Sequence, residues 1–361
     1  MIRFLRCTPS LVLATLVLCA CRPTPPAIVQ APVTVPPFPT VLTVMTHDSF
    51  SISAEVLMDF ERANNAKVQF VKAGDAGTML NRAILAKGSP LADVLYGVDN
   101  TFLSRALNEG LFEPYASPLL ADVPDDVRLD PESRAVPIDT GDVCLNVDRA
   151  YFDEQGLKIP SSLDDLTRPE YKGLLVVQNP ATSSTGLAFL LTSVGAFGDP
   201  GYLDFWRRLA ANDVLVVDGW ETAYNSEFSG SSGRGSRPIV VSYGSSPVFE
   251  VVYSATPVSE PPTSAIVADG TCFRQIEFAG ILRGTPNRAM AEAWIDFMLS
   301  PRFQEDLPLQ MYVFPVNRQA KLASVFQEVM AVPDRPVVVA PEEIEAKRET
   351  WINDWREVVL R

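Results

Sequence analysis

VLTVMTHDSFSISAEVLMDFERANNAKVQFVKAGDAGTMLNRAILAKGSPLADVLY, residues 41–96, decides the fold. Val41-Leu42-Thr43-Val44, Val68-Gln69-Phe70-Val71 and Asp93-Val94-Leu95-Tyr96 are short apolar runs of strand length. Between them Glu55 to Arg62, with Val56, Leu57 and Phe60 on one face, and Met79 to Ala86 carry helical spacing. Consecutive parallel strands need a crossover of this kind, so the order predicts an α/β fold with mainly parallel sheets. A second series follows. Strands are read at Cys144 to Val147, Leu174 to Val177, Val214 to Val217 and Ile239 to Val241, and helices at Gly186 to Val194 and Tyr202 to Ala210. Two series of βα units predict two lobes. Ser229 to Ser236 reads as a mobile surface loop, because no P-loop ending follows its glycines. Ala289 to Leu299 and Glu342 to Leu360 read as helices, the last with Ile344, Trp351, Trp355 and Val358 in one stripe.

Upstream the pattern changes. Arg3 and Arg6 precede the apolar run Leu11 to Leu18, which is too short to span a bilayer, and Leu18-Cys19-Ala20-Cys21 has the form of a lipobox. Residues 1–20 therefore read as a lipoprotein signal peptide and Cys21 as the acylated residue, which places the chain outside the cytoplasm on a membrane surface. Residues 21–40 are proline-dense and read as an extended tether. About 320 residues remain, enough for two lobes. The expected division is 41–138 for the first lobe, 139–250 for the second, 251–305 for a return to the first, and 306–361 for a segment packing across both.

A net charge of -14 argues against nucleic acid as a partner and is compatible with a cationic ligand. His47 is the single histidine, and no cysteine pair has ligand spacing, so no metal site or cofactor is expected. Without a Gly-x-Ser-x-Gly elbow, hydrolase chemistry is disfavoured as well. After processing, Cys144 and Cys272 remain. The reading favours two buried thiols in strands over a bridge, which an oxidising compartment would also allow.

Polar and aromatic clusters follow the predicted strands, where open α/β sheets hold their ligands. They are Thr46 to Phe50, containing His47, Asp48 and Ser49; Gly97 to Thr101, containing Asp99 and Asn100; and Asn179 to Gly186, containing Ser183 and Ser184. Two more are Gly219-Trp220-Glu221 with Tyr224, and Ser242-Tyr243 with Ser246-Pro247 and Phe249. Helix capping accounts for some of the hydroxyls and acids. Rings beside carboxylates, including Asp48, Asp99, Asp139, Asp218 and Glu221, suit a flat heteroaromatic cation, with cation–π contacts of about 0.5–2 kcal/mol each.

The same segments, together with Val136 to Gly141 and Trp351 to Arg356, resemble in their order the thiamine-binding proteins of bacterial ABC importers, from about Val41 to Arg361. This is one group of the periplasmic solute-binding proteins. The resemblance implies a class II two-lobed fold, a monomer, capture of thiamine or its phosphates between the lobes, and delivery to a permease. It implies that Trp220 and Tyr243 line the cleft, that Ser183 and Ser184 lie near the hydroxyethyl or phosphate end, and that Asp99 and Asn100 lie near the pyrimidine. Asp139, Tyr224 and Ser246 fall in the same landmarks. His47 stands where the family often has tyrosine, Phe249 lacks a hydroxyl, and Tyr312 replaces a late tryptophan. Polyamine or ferric ion in the same fold is the first alternative. The second is a thiamine-degrading transferase using Cys144 as nucleophile, although no enzymatic activity is expected.

Overall fold

The computed structural model describes residues 39–232, 234–256, 258 and 260–360, so the expected leader, the expected acylation position Cys21 and the expected tether up to residue 38 lie outside it. Among the described residues, the three opening strands become β1 (Thr40–Thr46), β2 (Ala66–Lys72) and β3 (Val94–Asp99). They are joined by α1 (Ala54–Asn64) and α2 (Ala76–Leu85). β1 runs parallel to both neighbours, with Val44 opposite Val94 and Phe70. Asn65 ends α1 in the left-handed region at φ 46°, which asparagine tolerates better than most residues.

The chain continues through β4 (Phe112–Glu113), β5 (Val136–Asp148), β6 (Leu175–Gln178), β7 (Leu215–Val217), β8 (Ile239–Tyr243), β9 (Thr263–Ile266), β10 (Phe273–Leu282) and β11 (Phe314–Pro315). One sheet results, in the order β2-β1-β3-β10-β5-β8-β6-β7, with β4 on β10 and with β9 and β11 on β5. It is mixed. The β1–β3 and β6–β8 groups are parallel, whereas β10 runs antiparallel to β3 and β5, and β5 antiparallel to β8.

The 13-residue β5 makes two lobes out of this sheet. Its first part, Val136 to Val143, pairs with β10, and Val143 to Val147 pair with β8. The expected boundary at residue 139 falls inside this strand. β10 escapes the apolar-run criterion because Arg274, Gln275 and Glu277 interrupt it, and two of these polar side chains are buried.

The register of β5 on β10 also corrects the expectation of two thiols. Val143 faces Phe273, which sets Cys144 beside Cys272, and the two are joined in a disulfide across 128 residues of sequence. The glycine- and serine-rich 229–236 stretch, read as a loop, begins with a helical turn, Ser229–Ser232. Ser229 Oγ donates to Asp148 Oδ2 at 2.6 Å, which anchors it.

Each lobe has an apolar core. In the first, Phe60 of α1 meets Trp294 of the Arg288–Leu299 helix edge to face at 4.8 Å, a geometry contributing ~1 kcal/mol beyond its area. In the second, the Ser184–Phe197 helix is buried from Ser184 to Val194 and lies between the sheet and an outer layer. That layer is the Gly201–Ala211 helix and the closing Pro341–Val359 helix, where Trp206 meets Trp355 edge to face at 5.6 Å. The Ile344, Trp351 and Trp355 stripe is buried as its spacing predicts.

Candidate functional site

The carboxyl ends of parallel strands from both lobes converge on one cleft. His47-Asp48-Ser49 follows β1, Asp75 follows β2, Ser184 follows β6, Trp220 follows β7 and Tyr243 ends β8. All of them line a cavity of ≈ 280 Å³, together with Glu221, Glu277 and Tyr312 among others.

One wall is aromatic. Trp220 stacks on Tyr224 with ring centroids 5.0 Å apart and planes 12° from parallel, and meets Tyr312 edge-on at 5.6 Å. Its indole N–H donates to Ser242 Oγ at 2.9 Å, and Ser242 Oγ lies 2.9 Å from Ser246 Oγ, which fixes the ring plane. Tyr312 adopts φ 63°, rare for an aromatic residue, and its carbonyl accepts from Ser245 Oγ while Phe249 stacks on its ring. Tyr243 crosses β5 at Gly141, where a Cβ would come within 2.9 Å of its ring.

The floor is acidic and buried. Tyr96 Oη donates to Asp139 Oδ2 at 2.6 Å and lies 3.3 Å from Glu277 Oε2. Burial pushes the Asp139 carboxyl up to about 7. Burial and the neighbouring Asp139 raise the Glu277 carboxyl as well, so the two acids titrate as a pair. His47 Nε2 lies 3.6 Å from Glu277 Oε1. Burial holds the imidazole down at about 4, which makes it neutral at neutral pH. His47 fits against the end of β3 because Gly97 has φ +100° and no Cβ, an atom that would sit 2.2 Å from His47 Cδ2.

Asp75 links the two lobes. Its carboxylate caps α2 through the Ala76 amide at 2.6 Å and accepts across the cleft from the Trp220 amide at 2.9 Å and the Ser184 amide at 3.4 Å. Burial raises its pKa, opposed by these donors. Rings on one side and acids on the other can hold a flat cation. Among the described residues no group of three or more His, Cys, Asp or Glu could hold a metal ion.

A family model described as bacterial extracellular solute-binding protein matches residues 89–332. The chain belongs to this family. Similar members include the thiamine-binding periplasmic protein of Escherichia coli (strain K12), 30% identical over 329 residues and aligned over 89% of this chain and 94% of that one. The thiamine-binding periplasmic protein of Salmonella typhimurium (strain LT2) is 29% identical over 333 residues, with the same coverage of 89% and 94%. Among solved structures, a periplasmic thiamin binding protein superposes with a TM-score of 0.78 at 28% identity, covering 90% of this chain and 97% of that one.

In this solute-binding protein the sequence-predicted residues fall into three groups. His47, Asp48, Ser49, Ser184, Trp220, Tyr243 and Tyr312 meet at the cleft. Tyr224, Ser246 and Phe249 lie behind the aromatic wall as its buried support, and Asp139 lies beneath Glu277. Asp99, Asn100 and Ser183 are turned to other work. Asp99 Oδ1 accepts from the Thr101 amide and hydroxyl and the Phe102 amide, and Ser183 Oγ caps its helix at the Gly186 amide. Asn100 Nδ2 and Oδ1 bond the backbone of Arg274 and Ile276 on β10, and its side lines a separate cavity with Leu103 and Arg134. In the structure these side chains serve capping and strand bridging, since a polar residue at a strand end can answer backbone amides.

Sequence reasoning missed Asp75 and Glu277. Asp75 follows a strand just as His47 does, in Gly74-Asp75, so the strand-end rule applied evenly finds it. Glu277 sits mid-strand, and only the β10 pairing reveals it.

Proposed function

We propose that this chain is an extracytoplasmic lipoprotein, acylated at Cys21 and tethered by residues 21–40, that captures thiamine between its lobes and delivers it to an ABC importer permease. The lobe division at 41–138, 139–250 and 251–305, with 306–361 packing across both, belongs to the same reading. The observation that carries it is a single cleft lined both by the rings of Trp220, Tyr243 and Tyr312 and by the acids Asp75, Glu221 and Glu277. Thiamine is a flat heteroaromatic cation, so ring faces and carboxylates answer its two features. Names of relatives aligned over nearly the full chain support the same ligand.

Cys144 is bonded to Cys272 and offers no free thiolate in this state, which leaves the transferase alternative without its nucleophile. Thermal unfolding with added ligand tests the reading. At a hundredfold excess over Kd, thiamine stabilises the folded protein by about 2.7 kcal/mol and raises Tm. Absence of a shift with thiamine and both its phosphates refutes the proposal. Displacement of labelled thiamine by spermidine at comparable concentration favours a polyamine instead.

A further inference from the structure

We infer that Arg348, which lies outside the cavity lining, clamps the closing helix to the first lobe and so holds the two sides of the cleft together for ligand capture. It is a positioning residue, and its effect on thiamine binding rests on the thiamine reading and extends it.

The closing helix, Pro341–Val359, has 19 residues and is about 28 Å long. Its later turns belong to the second lobe. Trp355 packs edge to face on Trp206, and Trp351 Nε1 donates to Asp199 Oδ2 at 3.2 Å. Its earlier turns reach α3 (Leu103–Asn108), which follows β3 in the first lobe. Asn108 Nδ2 donates to Glu345 Oε1 at 2.7 Å. Arg348 Nη1 donates to the Thr101 carbonyl at 3.3 Å and to Ser104 Oγ at 3.4 Å, and the guanidinium lies 5.8 Å from the Phe102 ring centroid.

This arginine is built into the seam. It is 5% exposed, and burial lowers its pKa. Glu349, its carboxylate partner at 3.3 Å, is the next residue on the same helix, so that ion pair does not bridge the lobes. What offsets the desolvation of the buried cation is a carbonyl, a hydroxyl and a ring face, all from the first lobe.

The residues it grips lead to the cleft. The Thr101 amide and hydroxyl and the Phe102 amide bond Asp99 Oδ1 at the end of β3. The Phe102 ring lies against Gly77 of α2, where a Cβ would come within 3.0 Å of its Cζ and 2.9 Å of the Ala181 and Thr182 carbonyls of the second lobe. The Thr78 amide donates to the Thr182 carbonyl at 3.2 Å. The lobes therefore meet twice on this flank, through α2 and through the closing helix, with Phe102 touching both contacts. A ligand held by both lobes binds the closed arrangement, and its apparent Kd rises in proportion as that arrangement is depopulated. Loss of the outer contact depopulates it.

Titration calorimetry and stopped-flow release of thiamine from the full chain test this, together with small-angle scattering of the ligand-free and saturated proteins. Arg348→Met keeps the apolar stem and removes the guanidinium. It should weaken thiamine binding about tenfold, mostly through faster dissociation. Asn108→Ala, at the exposed end of the same contact, should weaken it about threefold. Arg348→Lys keeps a donor for the Thr101 carbonyl and should recover part of the loss. The ligand-free radius of gyration should be larger in Arg348→Met than in the wild type and equal once thiamine saturates both, a difference that a purely local packing role would not produce. Equal or tighter thiamine binding in Arg348→Met with native circular dichroism overturns the inference and leaves the thiamine reading standing. Where that variant fails to fold, unchanged affinity and release rate in Asn108→Ala overturn it. Absence of thiamine binding by the wild type overturns the thiamine reading instead, and equal ligand-free radii of gyration in wild type and variants then overturn the clamp.

Discussion

The two sides of the cleft are held in place by opposite means. The aromatic wall is built mostly from neighbours in sequence: Trp220 and Tyr224 share one helical turn, and Ser242, Tyr243, Ser246 and Phe249 follow one another off β8. Its rings brace each other through contact, with Trp220 pinned by one hydrogen bond to Ser242. The acidic floor draws His47 from the end of β1 and Tyr96, Asp139 and Glu277 from β3, β5 and β10; Tyr96 hydrogen-bonds both acids, and His47 lies 3.6 Å from Glu277 in the same buried setting. Local sequence produces a surface for stacking, while long-range strand pairing produces a fixed electrostatic field. Changes on the wall should therefore act on affinity, and changes around the floor on stability and its pH dependence.

The largest effect is expected at the edge of the floor. Asp99 pairs across the ladder with Glu277, and burial pushes its carboxyl up to about 7. A raised carboxylate pKa stabilises the fold fully below the unfolded value of about 3.9, and that contribution is lost as pH rises through 7. Asp99→Asn removes this dependence. Between pH ~4 and ~8 the wild type should lose ~2–4 kcal/mol relative to the variant, measured by denaturant unfolding at each pH. Parallel pH profiles would contradict the buried-acid account. His47 has the opposite sign, since its lowered pKa costs stability as pH falls from about 6.5 towards 4, but it is present in both proteins and cancels from the difference.

A similar magnitude is expected where the two sides meet. Cys144 lies opposite Ser242 of the wall strand, and Cys272 precedes β10 of the floor. Cys144→Ala with Cys272→Ala should lower unfolding free energy by ~2–4 kcal/mol. An unchanged denaturation midpoint would show that the bridge ties nothing together.

On the wall, Trp220→Ala and Tyr243→Ala should each weaken thiamine binding by ~1–3 kcal/mol, read by calorimetry. Unchanged affinity in both would dissolve the distinction between the sides. The smallest effect belongs to Asp139→Asn. The Asp139–Glu277 pair gains negative charge as pH rises past about 7, facing His47, Tyr96, Tyr243 and Asp99, so wild-type affinity for a cation should increase through that range. The variant should flatten the rise, a change of ~1 kcal/mol or less. A rise of equal size in both would place the titrating group elsewhere.

The same contrast explains what could be read from sequence. Alternating strands and helices made the lobes legible, and the strand-end rule pointed to Trp220, Tyr243 and His47, because each depends on patterns within a few residues, whereas Tyr312 came only from the family resemblance. Asp99, Asn100 and Ser183 obeyed the same pattern yet serve the backbone, since the rule locates strand ends without telling caps from ligand contacts. Glu277, the β10 strand and the Cys144–Cys272 bridge depend on register between segments more than 100 residues apart, and composition does not encode register. Asp75 lay within reach of the rule, and its three amide partners come from both lobes, which no single segment announces.

A crystal structure of the full chain with bound thiamine tests the central claim most directly. The account predicts a thiamine ring stacked on Trp220 or Tyr243, with its positive charge within ~6 Å of a ring centroid and turned towards Glu221 and Glu277. Thiamine bound outside this cleft, or held in it with its rings touching neither aromatic side chain, would contradict it.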